Sequence, residues 1–170
     1  MSLIFLVGFM GVGKTTIAKK LAKKLNYDWI DTDQKIADRE GISITDLFTS
    51  KGESYFREAE KDLLLSIADK SEMVIATGGG MPCFNDSMSL MNQIGKTIYL
   101  ERSPKELFQR LRNATKDRPL LQQKTDDELL HYIEHTLGIR TKIYKEAHFI
   151  ADRFNQTPEK IIALLGLTDF

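Results

Sequence analysis

The sequence predicts an α/β fold in which a five-stranded parallel sheet lies between two layers of helices, and three observations carry that prediction. A wholly apolar run, Leu3-Ile-Phe-Leu-Val7, passes directly into a glycine-rich loop and then into a helical pattern. Four further short apolar runs recur along the chain, separated by helix-like segments. Two of these runs end in an acidic or a glycine cluster, and the carboxyl ends of strands are where open parallel sheets bind ligands.

The succession of apolar residues at Leu3–Val7 suits a strand buried on both faces. The next segment, predicted as a helix over 15–25, places Ile17, Leu21 and Leu25 on one face. Strands are expected at Tyr27–Ile30, Met73–Ala76, Thr97–Leu100 and His148–Ile150. Helices are expected over 33–39, 43–49, 53–69, 86–93, 103–113, 126–146 and 158–165. Ser103-Pro104 and Thr157-Pro158 each provide an N-cap residue followed by proline at the first helical position, where a missing N–H is no loss. No repeat or low-complexity tract interrupts the pattern, so residues 1–170 read as one domain.

Composition narrows the partners. Lys+Arg and Asp+Glu balance at 24 each, leaving no basic excess to neutralise a nucleic-acid backbone, so a small-molecule partner and no nucleic acid is the expectation. With Cys83 the only cysteine, no internal disulfide can form. The apolar stretch Leu3–Met10 lacks a positive leader segment and falls far short of the roughly 20 residues that span a bilayer. No membrane association, a cytoplasmic location and a monomer are therefore expected. His131, His135 and His148 show no spacing with cysteine or carboxylates that suggests a zinc site, and none is assigned to catalysis.

Gly8-Phe-Met-Gly-Val-Gly-Lys14-Thr15-Thr16 has the spacing G-x-x-x-x-G-K-[ST]. Its glycines let successive backbone N–H groups turn inward around a phosphate, and the helix N-terminus behind them adds partial positive charge. Gly11, Val12, Gly13, Lys14, Thr15 and Thr16 are thus candidates for binding ATP or GTP, with Lys14 reaching the β- and γ-phosphates and the Thr15 hydroxyl ligating Mg²⁺. After the second strand stands Asp31-Thr32-Asp33, two carboxylates that extended backbone would project to one side. Asp31 is assigned to Mg²⁺ and Asp33 to the substrate, the competing reading for Asp33 being a helix N-cap. In Phe56-Arg57-Glu58-Ala59-Glu60, Glu60 is spaced to orient the Arg57 guanidinium for bidentate recognition of a carboxylate; a solvated surface pair is the alternative. Gly78-Gly79-Gly80 follows the third strand, where a ligand would lie against bare backbone unless the run is a flexible connection. The basic segment 112–124 reads as a mobile lid carrying Arg118 to the transferred phosphate, or as an ordinary exposed loop.

Taken in order, the phosphate loop, Asp31-Thr-Asp33, Phe56-Arg-Glu-Ala-Glu60, Gly78-Gly-Gly80, Arg118-Pro-Leu-Leu121 and Arg140-Thr-Lys-Ile-Tyr144 resemble the shikimate kinases, a branch of the nucleoside-monophosphate-kinase-like P-loop fold. The resemblance covers nearly the whole chain and implies ATP-dependent phosphorylation of the shikimate 3-hydroxyl, a step toward chorismate and the aromatic amino acids. It implies that Asp33 holds the acceptor hydroxyl, that Arg57 and Arg140 clamp the shikimate carboxylate, and that Gly79, flanked by Gly78 and Gly80, contacts the ring hydroxyls. Phe48 and Phe56 would wall the ring, Thr15 and Asp31 would serve Mg²⁺, Lys14 and Arg118 would act on the phosphates, and Gln156 would lie in the adenine loop. The family commonly has Ser at the position of Thr15 and often Arg near Gln156.

Overall fold

The computed structural model describes residues 3–113 and 124–167. Its sheet is wholly parallel and comprises β1 (Leu3–Val7), β2 (Asp28–Asp31), β3 (Met73–Ala76), β4 (Gly95–Leu100) and β5 (Phe149–Ala151), in the order β2-β3-β1-β4-β5. Strand β1 lies at the centre, Phe5 pairing with Ile75 on one side and Thr97 on the other, and all of its side chains are buried. Edge strand β2, by contrast, is exposed or half-exposed throughout.

The helices are α1 (Lys14–Leu25), α2 (Thr32–Glu40), α3 (Ile44–Ser66), α4 (Ser87–Ile94), α5 (Pro104–Asn113), α6 (Asp126–Tyr144) and α7 (Pro158–Leu164), with a 3₁₀ turn at Met81–Cys83. From β1 the chain passes over the position of β3 to reach β2, and every later crossover runs in the opposite direction. Right-handed crossovers therefore place α1 on one face of the sheet and α3 to α6 on the other. Helix α7 packs on α1, where Lys24 pairs with Glu159 at 2.7 Å. The layers are thus helix, sheet, helix. The core fills both interfaces, with Ala18, Leu21 and Leu25 of α1 on one side and Leu63, Leu64, Met88, Leu107, Leu111 and Ile133 on the other.

Two differences from the sequence reading have plain causes. The helices expected over 43–49 and 53–69 are continuous in α3, bent where Gly52 departs from helical geometry at φ 83° and ψ 169°. Asp31-Thr32-Asp33 is not extended throughout: Asp31 ends β2 and caps α2, so Thr32 and Asp33 are already helical. Because the chain leaves β1 for α1 on one face and leaves the neighbouring β3 for α4 on the other, the loops after β1 and β3 flank a crevice at the carboxyl edge of the sheet.

Candidate active site

The loop after β1 turns through three glycines in left-handed or extended positive-φ geometry, Gly8 at 143°, Gly11 at 80° and Gly13 at 108°. Side chains rarely tolerate such angles, so this loop shape requires these glycines. Gly13 caps α1 without a side-chain hydrogen bond, leaving the first N–H groups of the helix to meet an anion. Lys14 is buried, and its Nζ donates to the carbonyls of Gly8 at 2.7 Å and Phe9 at 3.0 Å. Val12 points into the core, contributing backbone only, while Thr16 is exposed on the first turn of α1.

At the mouth of this loop, the Thr15 hydroxyl donates to Asp31 Oδ2 at 2.5 Å. The other oxygen of Asp31 accepts from the backbone N–H groups of Asp33 at 3.1 Å and Gln34 at 3.3 Å, so its N-cap role and its reach to Thr15 coexist. A hydroxyl and a carboxylate oxygen side by side at a phosphate loop form a hard-oxygen donor pair of the kind that fits Mg²⁺.

Across the crevice, Thr77 ties the end of β3 to β1 by bonds from both its N–H and its hydroxyl to the Leu6 carbonyl. The N–H of Gly78 donates to the buried Thr32 hydroxyl at 2.8 Å, anchoring the same loop to α2. Each of the next three glycines then lies against a different functional group. A Cβ on Gly78 would overlap Asp33 Oδ1 and meet Glu60 Oε1 at 3.1 Å. One on Gly79 would come 3.6 Å from Arg140 Nη1 and 3.3 Å from the backbone nitrogen of Met10. One on Gly80 would press into the Arg57 guanidinium at 2.7 Å. The glycine run is therefore a bare-backbone floor, not a slack connector.

Arg57 is only 11% exposed, which removes the solvated-pair reading. Its Nη1 donates to Glu60 Oε2 at 2.7 Å, while Nε and Nη2 donate to Glu53 Oε1 at 3.2 and 3.0 Å. Glu60 is 2% exposed, and burial pushes its carboxyl up to about 7 against the opposing pull of Arg57; Asp33 adds to the rise and Arg140 to the fall. Burial likewise raises the Cys83 thiol, with Arg140 and Arg57 opposing. Tyr144, at the end of α6, donates its hydroxyl to the Gly79 carbonyl at 2.5 Å, fixing the helix turn that carries Arg140 against the floor.

Several assignments change in this setting. Phe56 is buried and packs against Phe48 with ring centroids 4.7 Å apart at a 43° tilt, and it lies 5.2 Å from Arg57 Cζ, supporting the guanidinium from the core. Nearer still to the guanidinium is Phe84, 4.0 Å from Arg57 Cζ and 38% exposed, which no spacing in the sequence marks. Gln156 is buried and committed to protein: Oε1 accepts from Arg102 at 3.0 Å, and Nε2 donates to the carbonyls of Glu101 and Ala151, both at 2.9 Å. Its amide holds the loop after β5 onto the end of β4 and has no donor left to offer a ligand. Arg110, unremarked in the sequence, reaches from α5 to donate to the Gly11 carbonyl at 2.7 Å. Its only local signal is its place among the basic residues in the last turn of α5. Arg118 and most of the segment expected to form a lid lie outside the described residues.

Comparison with known proteins yields consistent findings. A family model described as shikimate kinase matches residues 10–166. A Bacteroides fragilis shikimate kinase is 47% identical over 147 residues, 86% of this chain and 82% of that protein. The crystal structure of a Bacteroides thetaiotaomicron shikimate kinase superposes with a TM-score of 0.92 at 42% identity, over 97% of this chain and 98% of that one. An Acinetobacter baumannii shikimate kinase in complex with shikimate gives 0.82 at 32% identity, over 98% and 91%. A Sinorhizobium meliloti gluconokinase, at 17% identity and a TM-score of 0.60, shares the fold alone.

Proposed function

This chain belongs to the shikimate kinase family, and from that premise and the geometry of its crevice we propose that it transfers the γ-phosphoryl group of ATP to the 3-hydroxyl of shikimate. The observation that carries the reading is the floor Gly78–Gly80, against which Asp33, Arg140 and Arg57 each bring a side chain. Two guanidiniums beside a carboxylate select a small acid that also bears hydroxyls: the arginines take its carboxylate and Asp33 accepts from a hydroxyl. That floor lies across from the phosphate loop, the relation in-line transfer needs.

In this reading the inward N–H groups of residues 11–16 hold the β- and γ-phosphates, and Lys14 exchanges its bonds to the Gly8 and Phe9 carbonyls for phosphate oxygens. Thr15 and Asp31 would hold Mg²⁺, which when bound would neutralise charge on the phosphates. Asp33 orients the acceptor hydroxyl and takes up its proton as the new O–P bond forms and the bond to ADP breaks. Arg118, which lies outside the described residues, would act on the transferred phosphate. Because phosphoryl transfer depends mainly on positioning and electrostatic stabilisation, Lys14 and Arg118 govern rate more than proton removal does. We further propose that it acts as a monomer in the cytosol. Among the described residues no helix is long and apolar enough to cross a membrane.

The test is ADP release by the purified protein with Mg-ATP, comparing no acceptor with shikimate, quinate, gluconate and nucleoside monophosphates. Release that requires shikimate is the expected result. Stimulation by gluconate or a nucleotide instead would reassign the arginine clamp, and silence with every acceptor in protein that binds ATP would replace catalysis with a regulatory role.

A further inference from the structure

Helix α6 opens with a capping box, Thr125 accepting from the Glu128 N–H while the Glu128 side chain accepts from the Thr125 N–H. It buries Leu129, Ile133 and Leu137 at every fourth position. His131 and His135 fall two residues after the first two of these, roughly 200° around the helix axis, and both are exposed. Being one turn apart, they share a face. Their rings are nearly parallel, at 19°, with centroids 6.3 Å apart.

We propose that His131 and His135 form a two-imidazole site for a first-row divalent transition ion of the Cu²⁺, Ni²⁺ or Zn²⁺ class, separate from the oxygen site at Thr15 and Asp31. Histidines at i and i+4 on one helix face have the spacing with which helices present paired ligands to zinc. The rise over four residues is about 6 Å, close to the observed ring separation, so the rings stand side by side and small side-chain rotations bring one nitrogen of each to about 2.0–2.1 Å from a shared ion. Imidazole favours these borderline ions, whereas Mg²⁺ prefers oxygen, so the two sites sort their metals by ligand chemistry. The local sequence His131-Tyr-Ile-Glu-His135 also has the H-x-x-E-H order found in some zinc hydrolases. Among the described residues no group of three or more His, Cys, Asp or Glu side chains is placed to hold an ion, so water completes the shell and the assignment is binding, not hydrolysis.

The chain has three histidines, which makes the site separable by substitution. Titration calorimetry of the full chain with NiCl₂, CuCl₂ or ZnCl₂ at pH 7.5, without nucleotide, is expected to give one equivalent of binding. His131→Ala or His135→Ala is expected to lower the affinity by roughly a hundredfold, the advantage that linkage of two ligands supplies. His148→Ala should leave it unchanged. Both substituted positions are exposed, so the metal-free melting temperature and the Mg²⁺-dependent kinase rate of His135→Ala should match those of the parent. A metal-induced rise in melting temperature present in the parent and absent in His135→Ala would support the site independently. Undiminished binding in both His131→Ala and His135→Ala, or loss of binding in His148→Ala instead, would overturn it.

Discussion

Glu60 carries opposing demands at one residue. Its ionised form accepts from Arg57 at 2.7 Å and so holds the guanidinium against Gly80, yet burial penalises that form and pushes the carboxyl up to about 7. The folded chain therefore binds more proton than the unfolded chain between about pH 4.5 and 7, and stability contributed here declines as pH rises through that window. Activity should move the other way. For the parent, kcat/KM for shikimate is expected to climb as pH passes about 7, and Glu60→Gln should flatten that limb while raising the melting temperature at pH 8 more than at pH 5. Parallel pH profiles for the two proteins would detach Glu60 from the clamp. Arg57 itself makes bonds to Glu53 and Glu60 that a lysine ammonium cannot reproduce as a planar fork. Arg57→Lys should raise KM for shikimate roughly ten- to a hundredfold, the value of one charge-assisted hydrogen bond, with kcat changed far less. An unchanged KM would remove Arg57 from substrate binding.

At the scale of elements, the kink in α3 separates the half that bears Leu47 and Phe48 from the half that bears Phe56, Arg57 and Glu60. Gly52 makes that kink at an angle which side chains strongly avoid, although a Cβ there would meet nothing within 4 Å. Gly52→Ala should consequently cost about 1–3 kcal/mol through backbone strain alone, seen as a lower urea midpoint with an unchanged slope. An unaltered midpoint would mean that the two halves re-form a straight helix. The capping of α2 by Asp31 is a second device of this kind. It shortens β2 and turns Thr32 and Asp33 into the first helical turn, which sends Asp33 toward Gly78 while Asp31 stays at the phosphate loop.

Across the whole molecule, α6 runs from Asp126 to Tyr144 beside the Gly78–Gly80 floor, and Tyr144 is where it is fastened. Its hydroxyl bond to the Gly79 carbonyl joins the last strand crossover to the loop after β3, beside the phosphate loop. Tyr144→Phe leaves that carbonyl without this partner, for which a destabilisation of about 1–3 kcal/mol is expected. Because Arg140 lies one turn earlier on the same helix, KM for shikimate should rise as well, while the KM for ATP, set by the loop after β1, should not. A rise in both would show that Tyr144 supports the crevice as a unit.

Much of this protein was determined by sequence alone because its signals are local. An apolar run, a glycine spacing or an N-cap followed by proline acts within a few residues, and so the strands, most helix limits and the phosphate loop were legible without coordinates. The candidate site was legible in part: Asp33, Arg57 and Gly78–Gly80 stand in local motifs, whereas Arg140 carries no local signal and was placed there only by the family resemblance. Tertiary structure decided what depends on surfaces meeting. The strand order, the burial of Glu60, the stacking of Phe84 on Arg57, the grip of Arg110 on Gly11 and the commitment of Gln156 to the β4 and β5 termini all join residues whose spacing carries no signal. A glutamate three residues from an arginine reads the same on a solvated helix as in a sealed crevice. Only the packing of α3 against the loop after β3 makes it a buried clamp, since desolvation is a property of the neighbours and not of the chain segment.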